Sequence, residues 1–191
     1  MSRVFWALIL VVSALYISSP INACVGKTLH IGILDNPNEQ MLAEMTSQLI
    51  TARTGTTVKI ETYKGQKEMY SAVKQGQLGM VIESTDRALE MIGKPKESGK
   101  AGFESAKAEY KKSLNLIWLE PYGAVQGGSS SQLLAPVIAN ETLSSLPALP
   151  KLLQKLSGIT TDSGYNRIMK SKNDEKPKKL AKDFLKSKKL I

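Results

Sequence analysis

Residues 118–138 read WLEPYGAVQGGSSSQLLAPVI. The stretch begins inside an apolar run of strand type, LNLIWL at 114–119, and ends in another, LLAPVI at 133–138. Between them lies GGSSS, a composition that buries little apolar surface and behaves as a flexible linker. In a chain of 191 residues such a linker has no room to separate two ordinary domains. The stretch therefore reads as two strands of one body joined by a Gly/Ser loop at 126–131. A loop this short costs little entropy to close.

The chain before this stretch alternates strands and helices. LHIGIL at 29–34 is an apolar run of strand length. Asn36 follows as a helix cap, Pro37 suits the first helical position, and Glu39 completes a capping box. Met41, Leu42, Met45 and Leu49 then form one helical stripe, which Gly55 ends. TVKIETY at 57–63 alternates as a half-buried strand. Gly65 opens a helix bearing Met69, Ala72 and Val73, ended by Gly76. LGMVI at 78–82 is a third strand, 85–92 a short helix, and Phe103, Ala106 and Tyr110 mark a longer one. Such alternation implies crossover connections and an α/β fold with a mostly parallel sheet flanked by helices.

Beyond 138 the pattern is helical. Asn140 caps a short helix, Pro150 opens one bearing Leu152, Leu153 and Leu156, and Asp162 caps another with Tyr165, Ile168 and Met169. The last helix follows Pro177 and buries Leu180, Ala181, Phe184 and Leu185.

The first residues carry a different signal. Arg3 precedes an apolar run from Val4 to Ile17, shorter than the roughly 20 residues of a spanning helix. Residues 1–23 read as a secretory signal, with a retained anchor helix as the alternative. Cys24, the only cysteine, cannot form an internal disulfide. Its place after Ile21, Asn22 and Ala23 resembles a bacterial lipobox, which makes it a lipidation site; the alternative is an ordinary signal followed by a free thiol. The expected mature chain is 24–191, one exported domain, periplasmic or at the cell envelope and held to the membrane through the lipid.

The net charge is +9. Lysines are spread along the chain and thicken toward its end, and no arginine cluster is interleaved with aromatics, so no nucleic-acid partner is expected. One histidine, His30, and one cysteine make no metal or nucleophilic constellation, and His30 reads as a packed or surface side chain. No phosphate-binding, dinucleotide or nucleophile-elbow motif occurs, and the carboxylates are scattered. No cofactor and no catalytic activity are expected; a binding protein is.

In open α/β sheets ligands sit beyond the carboxyl ends of the strands. Three segments end there: YKGQK, ESTD and EPYG. Gln66 and Lys67 lie at a helix N-terminus, where free amides favour anions or carboxylates. Glu83, Ser84, Thr85 and Tyr122 add polar and aromatic edges. The competing role for Ser84 and Thr85 is to cap the next helix.

Several segments, in order, resemble one family. LHIGILDNPNEQMLAEM (29–45), GQLGMVIESTDRAL (76–89), LIWLEPYG (116–123), APVIANETLSSLPALPKLLQKLSG (135–158) and LAKDFLKSKKLI (180–191) are similar to extracytoplasmic solute-binding proteins for glycine betaine, choline and other quaternary ammonium compounds. The resemblance implies one lobe of a type II periplasmic-binding-protein fold and an ABC transporter permease as partner. It also implies a quaternary ammonium or similar solute as ligand. In that family the chain builds a second lobe after the fourth strand; here QGGSSSQLL stands in its place. Ser84 occupies the position of a tyrosine of the family's aromatic cage, Gly79 that of an aspartate and Asp86 that of a glycine. Ala124, Val125, Gln126 and Gly127 replace F-N-N-T. These departures imply a degenerate ligand site. The alternative is an interaction module that lost ligand binding and pairs with a protein partner, including a second copy of itself.

Overall fold

The computed structural model describes residues 28–124, 132–171 and 175–191. The signal segment 1–23, Cys24 and the loop 126–131 lie outside the described residues. The elements run Thr28–Leu34 (β1), Pro37–Thr54 (α1), Thr57–Tyr63 (β2), Gln66–Lys74 (α2), Met80–Ser84 (β3), Thr85–Met91 (α3) and Gly99–Leu114 (α4). Leu116–Trp118 (β4), Gly123–Ala124 (β5), Leu133–Ala139 (β6), Asn140–Ser145 (α5) and Leu149–Leu153 (α6) follow, then two 3₁₀ turns, Gln154–Leu156 and Ile159–Thr161. Ser163–Lys170 (α7) and Pro177–Ser187 (α8) complete the chain.

The sheet order is β2-β1-β3-β6-β4, with β5 also paired to β6. β1 lies parallel to β2 and to β3. β6 runs antiparallel between β3 and β4, pairing Val81 and Trp118 alike with Val137. β1 to β5 thus share a direction, and β6 alone opposes them. The cause is the length of its connection. Ala124 pairs with Leu133, so only the eight residues 125–132 join β5 to β6. A parallel return needs a crossover of about a dozen residues or more.

Period-two alternation sends each strand's side chains to two cores. Ile31, Ile33, Met80, Ile82, Leu134 and Ile138 face α1, α6, α7 and α8. Val81, Leu116, Trp118, Ala135 and Val137 face α2, α3 and α4. Both faces are covered, which explains why β3 and most of β6 are buried along their length.

Local signals set most boundaries. The Asn36 side chain accepts from the backbone N–H groups of Asn38 and Glu39, Pro37 begins α1, and Gly55 ends it at φ 71°. Asn115, at φ 54°, ends α4 at Leu114, so β4 is shorter than the apolar run 114–119 suggested. Two expectations change. Glu39 does not close a capping box; its carboxylate accepts instead from the Leu34 N–H at 2.9 Å. Asn140 is the first residue of α5 and the cap position falls on Ala139, which offers no side-chain bond.

Candidate functional site

β3 ends where α3 begins. Ser84 is the last strand residue and also the cap of α3, its Oγ accepting from the Arg87 N–H at 3.4 Å. This abrupt junction places Glu83 and Arg87 four positions apart beside the carboxyl edge of the sheet. Glu83 is fully buried. Its Oε1 accepts from its neighbour's backbone, Ser84 N–H, at 2.8 Å and from Arg87 Nε at 2.7 Å. Its Oε2 accepts from Gln66 Nε2 at 3.1 Å. The same Gln66 amide donates to the Arg87 carbonyl at 3.0 Å.

Arg87 also spans to the first helix. Its Nη1 donates to Glu39 Oε1 at 2.5 Å, and only 22% of its side chain is exposed. Burial pushes the Glu39 carboxyl above its usual range; Arg87 opposes this without cancelling it. Burial alone would lower the Arg87 pKa, but the two carboxylates hold the guanidinium above its ordinary value. The guanidinium is therefore permanently charged and clamps two carboxylates across the ends of β1 and β3.

The remaining edge groups are also bonded within the protein. Ser84 Oγ accepts from Gln132 Nε2 at 3.1 Å, and Thr85 Oγ1 accepts from the Leu133 N–H at 3.2 Å. These bonds tie the start of β6 to the start of α3. Of the six residues expected at this edge, Gln66, Glu83, Ser84 and Thr85 come together. Tyr122 does not join them. It is fully buried on the α1 side, with its hydroxyl 2.7 Å from Thr46 Oγ1. Lys67 is exposed and faces a groove beside α2.

That groove, of about 860 Å³, is lined by Lys67, Tyr70, Lys74, Leu78, Leu114 and Leu116 among others, and reaches the amino end of β3 and β4. Between it and Glu83 lies an aromatic cluster. The Tyr70 and Tyr110 rings meet edge-on at 5.9 Å, and Tyr110 meets Trp118 at 5.4 Å. Burial, and then the Glu83 charge, push both tyrosine pKa values up, so both hydroxyls stay protonated. Neither hydroxyl makes a hydrogen bond of ordinary geometry among the described residues.

His30 lies away from this edge. Its Nδ1 contacts the Glu61 carboxylate, which also accepts from the Tyr63 hydroxyl at 3.0 Å. Among the described residues no group of three His, Cys, Asp or Glu side chains is arranged to hold a metal ion. No described helix is long and apolar enough to cross a membrane.

Arg87, Glu39 and Gln132 are the site members that sequence reasoning missed. The four-residue spacing of Glu83 and Arg87 was the one available signal. Glu39 and Gln132 carry no signal of this role, because Arg87 and Ser84, the groups they bind here, lie 48 positions away in the chain.

The model of the family described as the substrate binding domain of ABC-type glycine betaine transport systems matches residues 27–129, more than half of the chain. The chain belongs to this family. Among solved structures it resembles one described as a glycine betaine/carnitine/choline ABC transporter, with a TM-score of 0.67 and 12% identity, covering 86% of this chain and 98% of that one. It also resembles apo YehZ from Escherichia coli, with a TM-score of 0.71 and 13% identity, covering 86% and 99%. At such identities the likeness establishes the fold, an α/β body of the periplasmic-binding-protein kind and of single-lobe size. No curated protein sequence matches the chain.

Proposed function

We propose that this protein works outside the cytoplasm as a one-lobed substrate-binding component of an ABC transporter. In this reading residues 126–131 replace the second lobe, and the edge that would meet a solute is closed by its own side chains. A transporter permease is its partner, and Cys24 carries a lipid anchor. The observation that carries the closed edge is the complete internal use of its polar groups. Gln66, Glu83, Ser84 and Thr85 are bonded to one another, to Arg87 and to the start of β6. A quaternary ammonium ion offers no N–H to such acceptors. It is held by aromatic faces, each contributing about 0.5–2 kcal/mol. Tyr122, the aromatic candidate, is held in the core by Thr46.

Calorimetric titration with glycine betaine and choline, at several protein concentrations, tests this. The expected result is no saturable binding in the micromolar range. Micromolar affinity in a monomer would overturn the closed-edge reading. Affinity that grows with protein concentration would point instead to a cleft rebuilt by two copies.

A further inference from the structure

The charge of this protein is unevenly placed. Of its net +9, +8 falls in residues 151–191, where eleven lysines and one arginine meet four acidic residues. Residues 1–150 are nearly neutral at +1. The transport fold gives no reason for this asymmetry, and the carboxyl-edge network does not use it.

Helix α8 organises the excess. At about 100° per residue, Lys178, Lys179, Lys182 and Lys186 fall within an arc of roughly 100°. All four are exposed, whereas Ala181, Phe184 and Leu185, on a separate arc of the helix, are buried. Lys176 and Lys189 extend the charge at the two ends of the helix, and both are exposed. The neighbouring α7 carries Arg167 and Lys170 in its last turn.

The local acids do not neutralise this face. Lys179 pairs with Glu175 at 2.7 Å, and Lys188 pairs with Asp162 at 2.5 Å. Asp183 lies near Lys179, and Glu44 of α1 lies near Lys178. Lys182, Lys186 and Lys189 have no ion pair among the described residues.

We propose that this lysine face is a docking surface for anionic lipid headgroups, holding the folded body flat against a membrane. Three features select lipid over other anions. The charges are nearly all lysine, whose compact ammonium suits diffuse phosphate headgroups better than planar, bidentate recognition. The only aromatic ring of α8, Phe184, is buried, so no stacking platform for nucleic-acid bases accompanies the charge. A second copy of the same face would be repelled. The apolar side of α8 is spent on the core, so the contact is electrostatic and peripheral, without insertion.

The test is co-sedimentation of the full chain with phosphatidylcholine vesicles, and with vesicles that also contain phosphatidylglycerol. Each lysine near an anionic surface raises partitioning by about fivefold. The variant Lys178→Gln/Lys182→Gln/Lys186→Gln is expected to lose roughly a hundredfold of the phosphatidylglycerol-dependent binding. Its circular dichroism melt should match that of wild type, because the three side chains point outward. Wild-type binding should also weaken as salt rises from about 0.05 to 0.5 M. Equal partitioning to the two vesicle types overturns the proposal. So does a folded triple variant that binds like wild type, and so does preference for a DNA duplex over anionic vesicles at equal phosphate concentration.

Discussion

Arg87 Nη1 meets Glu39 Oε1 at 2.5 Å, joining two residues 48 positions apart. With Glu83 on its Nε, the same guanidinium holds the start of α1 against the start of α3. Buried ion pairs are weak evidence of net stability, yet breaking one from a single side is costly. Arg87→Met leaves two carboxylates buried without their cation. Urea denaturation should show a loss of about 3–5 kcal/mol, with partial recovery when Glu83→Gln is added. A loss below about 1 kcal/mol would place the pairs with ordinary surface salt bridges.

The pH dependence of stability should carry the mark of Glu39. Its folded pKa lies above its ordinary value of 4.5, so the folded protein holds that proton more tightly than the unfolded chain does. The stabilisation this gives is full below 4.5 and is lost as pH rises through the raised folded value. Glu39→Gln does not titrate. Its stability relative to wild type should therefore climb across that window in urea melts taken at successive pH values. Curves that stay parallel would contradict the assignment.

Restoring an aromatic ring by Ser84→Tyr should fail structurally before it can succeed functionally. Ser84 is almost fully buried, caps α3 and accepts from Gln132. Losing the cap costs about 1 kcal/mol, and overpacking adds roughly 1–3 kcal/mol. Thermal melts should register the loss, and calorimetry should show no gain in betaine affinity. A variant as stable as wild type would mean that the carboxyl edge has more room than its packing suggests.

Cys24, read from the sequence as a lipidation site, makes a separable prediction. Mass spectrometry of the membrane fraction should find a diacylglyceryl-modified N-terminus, and Cys24→Ser should move protein into the soluble fraction. The preference for anionic over neutral vesicles should survive this substitution, because it belongs to α8. Identical partitioning of wild type and Cys24→Ser would remove the anchor from the reading.

What was legible in the sequence was local. Asn36, Pro37 and Gly55 bounded α1 because caps and left-handed ends depend on neighbours in the chain. Met41, Leu42, Met45 and Leu49 identified its buried side by spacing alone. What escaped was set by contacts distant in sequence. Glu39 carried a capping signal, but Leu34 and Arg87 claimed its carboxylate. Tyr122 looked like an edge aromatic, but it is buried in the core with its hydroxyl against that of Thr46, 76 positions earlier. The place of β6 between β3 and β4 could not be read from period-two alternation, which sets faces and not neighbours.

That place has a consequence for how the protein is made. β3 and β4 never touch each other in the sheet; Leu133–Ala139 lies between them and pairs with both. A ribosome that has released everything through Ala124 has delivered β4 and β5 with no partner strand, and β3 with one edge bare. Bare strand edges are templates for association with other chains. Completion of the sheet is therefore tied to the last third of synthesis, and a chain stopped before residue 133 should aggregate where the whole chain folds.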